Sequence, residues 1–287
     1  MKIQALTESI GAMVEDVVLS DLSDAQFALL YQAFLQHKVL FFRDQGLTVD
    51  EHLALGKRFG ELEAAHPFFP HLEEDNRVVV IETARGNPPG KSFWHTDMTW
   101  QSIPPKCSIL HAQHLPQQGG DTIWCDMAAV WTELSEAEQE SVQDKQAVHA
   151  LHAFASSRYD DINEQGESSV SKRSEDFPPL LRPMVQPHPE TQQSVLFINE
   201  QFTRAIVGMS EQESDAQLER LFSKARQTQH QVRFQWQENS VAIWDNRITQ
   251  HFAVTDYGDE PRRLHRVTVQ GDAEMAAQPF HSNASQA

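Results

Sequence analysis

The sequence predicts an α+β domain built on an antiparallel β-sandwich or jelly roll. Many short apolar segments are separated by turn residues, a pattern typical of strands in an antiparallel sheet. Helix signals lie mostly towards the ends of the chain, and the regular alternation of strands with long helices that indicates a parallel sheet is absent. The 287 residues are enough for one large domain with a buried core or for two small ones.

Helix starts are marked by capping boxes, in which a Ser or Thr is followed three residues later by Glu or Gln. After the first box, apolar side chains recur at helical spacing at Phe27, Leu30 and Phe34. The four boxes are Ser23-x-x-Gln26, Thr48-x-x-Glu51, Ser135-x-x-Glu138 and Ser210-x-x-Glu213. The expected strands are the apolar or alternating runs 39–42, 77–81, 108–114, 122–124, 195–198, 232–236, 241–244 and 264–269.

Two polar segments interrupt this pattern. Residues 156–176 are rich in Ser, Glu and Asp, and a long irregular insertion is usually a lid, a binding loop or a disordered segment. We expect a single domain over 1–272 with a lid insertion near 156–180, plain disorder of that segment being the alternative. Residues 273–287 are small and polar and are expected to form a flexible tail.

Composition limits the partners. The 23 basic residues against 41 acidic ones give a formal net charge of -18, which argues against nucleic acid and anionic membranes because both need basic patches. No run reaches the length of a membrane span, and the first residues lack a long apolar segment, so a cytoplasmic protein is expected. Cys107 and Cys125 lack CxxC spacing, which predicts buried free thiols.

The chemistry centres on residues 93–100, where His95 and Asp97 lie between aromatic residues. In an extended segment these two side chains point to the same side and offer two adjacent ligands for a divalent metal. A second His would complete the 2-His-1-carboxylate set of non-haem Fe(II) oxygenases. Because His-x-Asp is a common tripeptide, the metal site depends on the residues downstream.

His251 and two arginines supply those residues. His251 follows a strand and a turn and is a candidate third ligand, although taken by itself it is more readily a satisfied surface or core His. In an extended segment Arg262 and Arg266 share one face, and two inward guanidiniums favour a site for carboxylate or sulfonate groups. The alternative is a salt-bridged pair on a solvated edge strand.

Taken together, these motifs resemble the taurine dioxygenase (TauD/TfdA) group of Fe(II)/2-oxoglutarate-dependent dioxygenases. The resemblance extends from about Gly11 to Asp272, and its specific stretches are 94–97, 119–124, 244–251 and 262–266. It implies a double-stranded β-helix, a jelly roll, as the core, with helices buttressing one sheet.

The resemblance also implies roles for the site residues. His95, Asp97 and His251 would ligate Fe(II), Thr122 and Arg262 would hold the distal carboxylate of 2-oxoglutarate, and O2 would be the second co-substrate. Halogenating relatives have a small residue at the carboxylate position, so Asp97 argues for hydroxylation. The residues implied to contact the substrate are His66, Phe69, Lys91, Phe154, Phe202 and Arg266.

Two of these positions depart from taurine dioxygenase. Phe69 stands where that enzyme has a Tyr, and Lys91 stands where it has an Asn. The loss of a hydroxyl and an amide weakens recognition of a small polar amine and suits a larger or more apolar molecule with an anionic head.

We therefore expect hydroxylation of a small anionic organic compound, first of all a taurine-like sulfonate that would release sulfite and an aldehyde. An alkyl sulfate or an aryloxyalkanoate is the alternative substrate. A non-catalytic, cupin-like barrel with structural zinc is a remote alternative, because structural zinc sites usually have four protein ligands. Relatives often form dimers or tetramers, so a homo-oligomer is expected.

Overall fold

The computed structural model describes residues 1–151, 168, 172 and 175–280. The described strands are β1 (Lys2–Ala5), β2 (Ala12–Glu15), β3 (Val39–Phe42), β4 (Val78–Thr83), β5 (Cys107–His114), β6 (Thr122–Asp126), β7 (Gln146–His149), β8 (Leu180–Pro183), β9 (Val185–Pro187), β10 (Ser194–Leu196), β11 (Thr203–Ile206), β12 (Gln231–Phe234), β13 (Val241–Asp245), β14 (Thr249–Ala253), β15 (Arg262–Val269) and β16 (Gln278–Pro279). The described α-helices are α1 (Asp24–His37), α2 (Val49–Phe59), α3 (Met127–Glu133), α4 (Glu136–Val142) and α5 (Glu211–Ala225).

Two sheets face each other around an aromatic core. The larger has the order β1-β2-β3-β13-β5-β15-β4, and the smaller has the order β12-β6-β14. Phe41 of the large sheet stacks on Phe234 of the small one at 4.2 Å between ring centroids and meets Trp124 edge-on at 5.3 Å. The strand pairs are antiparallel except for β2 with β3, which agrees with the predicted antiparallel sandwich.

Helices α1 and α2 cover the outer face of the large sheet. Leu30 and Phe34 of α1 and Phe59 of α2 pack in one buried cluster with residues of that sheet such as Leu40 and Ile243. Since the central strands are buried on both faces, they are continuous apolar runs rather than alternating ones. The four predicted capping boxes are all present at helix starts and are confirmed.

A four-stranded sheet, β11-β7-β8-β16, and the pair β9-β10 flank this sandwich. The prediction of strand for 195–198 and 232–236 extends too far, because the ladders end at Leu196 and Phe234. Residues beyond those ends are still buried although they lie outside the strands. Ile198 is buried, and the buried Trp236 donates its indole N–H to Thr122 Oγ1 at 3.0 Å.

The two polar segments have different outcomes. Most of the predicted lid, near 156–180, lies outside the described residues. The tail differs from the expectation, because Ala273–Met275 forms a 3-10 helix and β16 pairs with β8. The reason is apolar burial, since Met275 is 3% exposed and joins the core beside α3 and α5.

The composition-based expectations can be checked in part. Cys107 and Cys125 are buried and unpaired, as predicted. Within the described residues, none of the helices combines the length and the apolar character needed to cross a membrane.

Candidate metal centre and active site

His95 and His251 lie opposite each other in an isolated antiparallel bridge. The amide of His95 donates to the carbonyl of His251 at 3.0 Å, and the amide of His251 donates to the carbonyl of His95 at 2.7 Å. Their ring centroids are 4.0 Å apart. Two residues 156 positions apart in the sequence are therefore held together by the backbone, and both imidazoles lie on one side.

Asp97 completes the predicted trio. One ligand atom from each of His95, Asp97 and His251 lies within 4.8 Å of the others. Asp97 Oδ1 is 3.7 Å from His95 Nε2 and 4.0 Å from His251 Nε2. In the part of the chain that the structure describes, this is the sole cluster of His, Cys or acidic residues with metal-binding spacing.

The protonation states suit a metal. His95 Nδ1 lies 2.8 Å from the carbonyl of Phe93, and because a carbonyl only accepts, Nδ1 carries the proton and Nε2 keeps its lone pair for a ligand bond. Burial lowers the pKa of both imidazoles, well below the ordinary value for His251. At neutral pH both are neutral, as metal ligation requires.

The carboxylate of Asp97 is ionised and oriented. Burial alone would raise its pKa, but Arg266, together with His251, His95 and the hydrogen bond from Ser108, outweighs burial and holds the pKa well below the ordinary value. Arg266 Nη1 donates to Oδ1 at 3.1 Å and Ser108 Oγ donates to Oδ2 at 3.0 Å. Two donors on opposite oxygens fix the plane of the carboxylate.

The second inward arginine lies at the other end of the same strand face. Arg262 and Arg266 of β15 are 6% and 5% exposed, whereas Arg263 between them points outward to Glu82. Arg262 Nη2 donates to the carbonyl of Gly120 at 3.1 Å, two residues before the buried Thr122. In each inward guanidinium the buried Nε–H has no partner among the described residues, so each can still donate to an anion.

An apolar wall adjoins Arg266. Its guanidinium carbon lies 5.5 Å from the centroid of Phe69, and Phe69 in turn packs on His66 at 4.5 Å. His66 Nδ1 accepts from the amides of Phe68 and Phe69, which leaves the proton on Nε2. Burial, aided by the charge of Arg266, lowers the pKa of His66 to about 3, so the ring is a neutral donor.

The other predicted substrate residues lie in different surroundings. Phe202 is 2% exposed and clusters with Phe68, Met98 and Trp100. Lys91 is exposed, and its Nζ lies 4.8 Å from the centroid of the Phe93 ring. Phe154 lies outside the described residues.

Two residues of the site were missed from the sequence. Ser108 lies in a predicted strand and Asn246 in the stretch 244–251, and neither is a predicted site residue, yet both contact Asp97. A polar residue inside the buried run of β5 was an available signal for Ser108. Nothing in the sequence around Asn246 indicates its partner, which is 149 positions away.

The donor set fits the implied groups. Two neutral imidazoles and one carboxylate on one face are the ligands of non-haem Fe(II) sites with open positions. Arg262 binds the carbonyl of Gly120, two residues before the buried Thr122, and keeps an N–H without a partner among the described residues, which fits the distal carboxylate of a 2-oxo diacid. Fold and site therefore define a non-haem Fe(II), 2-oxoglutarate-dependent dioxygenase.

Comparison with known proteins gives the family. The model of the family described as taurine catabolism dioxygenase TauD, TfdA family matches residues 2–268. The chain is 34% identical over 286 residues to an alkylsulfatase of Acinetobacter baylyi, covering 96% of this chain and 87% of the relative. It is 34% identical over 272 residues to an alpha-ketoglutarate-dependent sulfate ester dioxygenase of Pseudomonas putida, covering 93% and 88%.

The solved structures agree. The crystal structure of a taurine dioxygenase from Burkholderia xenovorans superposes with a TM-score of 0.83 at 31% identity, covering 99% of this chain and 95% of that one. The chain belongs to the TauD/TfdA family and is an oxidoreductase that uses Fe(II), 2-oxoglutarate and O2. The predicted jelly-roll core with buttressing helices is confirmed.

Proposed function

We propose that the enzyme hydroxylates a small organic sulfate ester or sulfonate with an apolar body, at the carbon bonded to the heteroatom. One observation carries this proposal. Arg266 is a buried guanidinium beside the metal-binding carboxylate, its Nε–H has no partner in the described part of the chain, and it lies against the ring of Phe69. A weakly hydrated, planar cation of this kind suits an oxyanion head joined to an apolar chain.

The geometry supports roles for the other residues. His95, Asp97 and His251 would hold Fe(II), which supplies the activation of O2 that accompanies decarboxylation of 2-oxoglutarate. Arg262 and Thr122 would hold the distal carboxylate of the co-substrate. His66, through its protonated Nε2, would donate to the oxyanion that Arg266 binds.

The products follow from atom balance. One oxygen atom of O2 enters the C–H bond of the substrate and the other enters succinate, while CO2 leaves 2-oxoglutarate. The hydroxylated carbon then loses its heteroatom group and becomes an aldehyde. A sulfate ester releases sulfate by C–O cleavage, and a sulfonate releases sulfite by C–S cleavage.

Two observations support an apolar body rather than an amino group. Phe69, which lies against Arg266, packs on an apolar cluster of Phe68, Met98, Trp100 and Phe202, and these side chains offer no carboxylate or carbonyl oxygen to an ammonium group. Two of the relatives act, by name, on alkyl sulfates or sulfate esters. The taurine-like sulfonate expected from the sequence stays a candidate, supported by the structural similarity to a taurine dioxygenase.

A substrate panel tests the proposal. Iron-loaded enzyme with 2-oxoglutarate is offered hexyl sulfate, hexanesulfonate, taurine and phenoxyacetate, and succinate, sulfate, sulfite and phenol are measured. We expect sulfate or sulfite in step with succinate, and a higher kcat/KM for the hexyl compounds than for taurine. Phenol as the main product would instead favour the aryloxyalkanoate alternative, and preference for taurine would overturn the apolar body.

A matched pair of variants tests the role of Arg266. Arg266→Met should raise KM for the sulfur oxyanion at least tenfold, since a charged hydrogen bond contributes about 1.5–3 kcal/mol. Arg263→Met, on the outward face of the same strand, should leave KM unchanged. Because Arg266 also contacts Asp97, the affinity for Mn(II) is measured in both variants to separate substrate binding from metal binding.

We also propose that the protein acts in the cytoplasm as a homo-oligomer. The two buried, unpaired thiols suit a reducing compartment. Val18 and Leu29 are 60% and 57% exposed and are apolar side chains that a second copy could cover. Cell fractionation and light scattering after size-exclusion chromatography test the two statements, and a monomer at micromolar concentration would contradict the second.

A further inference from the structure

The three candidate ligands are not held in the same way. His95 and His251 are fixed by the two backbone hydrogen bonds of their bridge. Asp97 lies two residues beyond that bridge, immediately before Met98, whose φ of +50° turns the chain away from the strand direction. A ligand placed just before such a turn needs another partner to define its position.

The side chain of Asn246 supplies that partner. Its Oδ1 accepts from the amide of Asp97 at 2.7 Å, and its Nδ2 donates to the carbonyl of Asp97 at 3.0 Å. The same Nδ2 donates to the carbonyl of Pro105 at 3.1 Å, and the residue is fully buried. A primary amide that bonds both the N–H and the C=O of one residue occupies the place of a neighbouring strand.

At Thr96, one residue before Asp97, a side chain again replaces a backbone group as the hydrogen-bond partner. Thr96 Oγ1 donates to the carbonyl of Thr249 at 2.9 Å. The segment 95–97 is therefore joined to 246–251 in two ways. At His95 the hydrogen bonds are between backbone groups, and at Thr96 and Asn246 they involve a side chain. This arrangement keeps the pairing register while it releases the backbone for the turn at Met98.

We propose that Asn246 is a positioning residue for the metal ligand Asp97, which sets the distance of that carboxylate from the two imidazoles. The side-chain hydrogen bonds of Asn246 go to the main chain of Asp97 and Pro105. Asn246 acts through the main chain of Asp97, whereas Ser108 and Arg266 act on the carboxylate oxygens. Without the amide, the carboxylate end of the ligand set samples more positions and the metal site is less preorganised.

If the amide of Asn246 served stability alone, its removal would lower the unfolding midpoint and leave metal affinity unchanged. The chain offers a matched control for this case. The side chain of Gln45 is also buried and also makes three hydrogen bonds to the backbone, at Leu19, Val17 and Arg43. It lies at the end of β3, outside the site. Asn246→Ala and Gln45→Ala therefore remove the same number of backbone contacts from buried positions.

The test is Mn(II) binding to the metal-free protein by calorimetry, with the thermal unfolding midpoint measured alongside. We expect Asn246→Ala to raise the Kd for Mn(II) about 10- to 100-fold, the usual effect of removing a group that orients a ligand. Gln45→Ala should lower the unfolding midpoint with little change in Kd. Equal Kd changes in the two variants would overturn the proposal.

A second variant covers the case in which Asn246→Ala does not fold. Asn246→Ser keeps a small polar side chain that is too short to reach both the N–H and the C=O of Asp97. We expect it to raise the Kd for Mn(II) as well, and a folded Asn246→Ser protein with unchanged affinity would overturn the proposal. Because no substrate is present, these results are independent of the proposed sulfate or sulfonate chemistry.

Discussion

At the scale of single residues, Gly120 defines where Arg262 lies. Its φ of +73° is in the left-handed region, and its carbonyl accepts from Arg262 Nη2. A Cβ added at this position would lie 3.2 Å from Arg262 Nε and 3.3 Å from Arg262 Cδ. Gly120 thus contributes both the backbone conformation and the space that let the guanidinium of Arg262 take its buried position.

We predict that Gly120→Ala weakens 2-oxoglutarate binding about tenfold, equivalent to about 1.4 kcal/mol, because the new methyl group displaces Arg262. The measurement is an anaerobic titration of the Fe(II)-loaded protein with 2-oxoglutarate.

Gly258→Ala is the control for this variant. Gly258 has a φ of +61°, and a Cβ there would meet no atom within 4 Å, so only the backbone strain is shared. The same loss of 2-oxoglutarate affinity in both variants would contradict the role of Gly120.

At the scale of elements, the packing of α2 on β5 buries a titratable group. His52 of α2 is 2% exposed, and its Nε2 donates to the carbonyl of Ile109 at 3.0 Å. Burial lowers the pKa of His52 to about 3, and the neighbouring His111 and His265 contribute in the same direction. The interface between helix and sheet is therefore built for the neutral imidazole.

The sign of the resulting pH dependence follows from proton counting. Between pH 6.5 and about 3 the unfolded chain binds a proton at His52 that the folded protein does not bind, so acid favours unfolding. We predict that lowering the pH from 7 to 5 removes about 2 kcal/mol of stability through this residue. His52→Gln, whose amide can still donate to Ile109, should show a correspondingly smaller acid loss in urea unfolding. His114→Gln, at an exposed position, should not.

The elements also show what the sequence can and cannot predict. Capping boxes and apolar runs are local, so the helix starts and most strands were predictable from residues a few positions apart. The outward Arg263 between Arg262 and Arg266 follows from strand alternation alone. The amide of Asn246 on Asp97 was not predictable, because a side chain that replaces a strand partner leaves no periodic pattern and its partner is 149 positions away.

At the scale of the whole molecule, Arg247 joins elements that are distant in sequence. Its guanidinium is fully buried and forms a two-bond pair with Asp245 at 2.8 and 2.6 Å. It also binds Glu190 at 2.6 Å and Asp272 at 2.8 Å, and Glu190 accepts from Tyr31 of α1. One cation thus connects α1, the turn after β9, the end of β13 and the segment after β15.

The ion-pair network around Arg247 lies in a strongly acidic chain. In a protein of formal charge -18, three carboxylates that converge on one buried point repel each other unless a cation lies between them. Burial alone would raise the pKa of Asp245, but Arg247, together with His188, outweighs burial and holds the pKa well below the ordinary value. The network therefore stabilises the native topology only while the arginine is present.

We predict that Arg247→Met destabilises the protein by about 3–5 kcal/mol in urea unfolding, because Asp245 becomes a buried charge without its cation. The double variant Asp245→Asn/Arg247→Met should recover part of this loss, since the uncompensated charge is gone. Arg226→Met is the control, because Arg226 pairs with Glu219 and Glu200 at the surface and such pairs contribute less than about 1 kcal/mol. Equal losses in the Arg247 and Arg226 variants would mean that the buried network is no more important to stability than a surface ion pair.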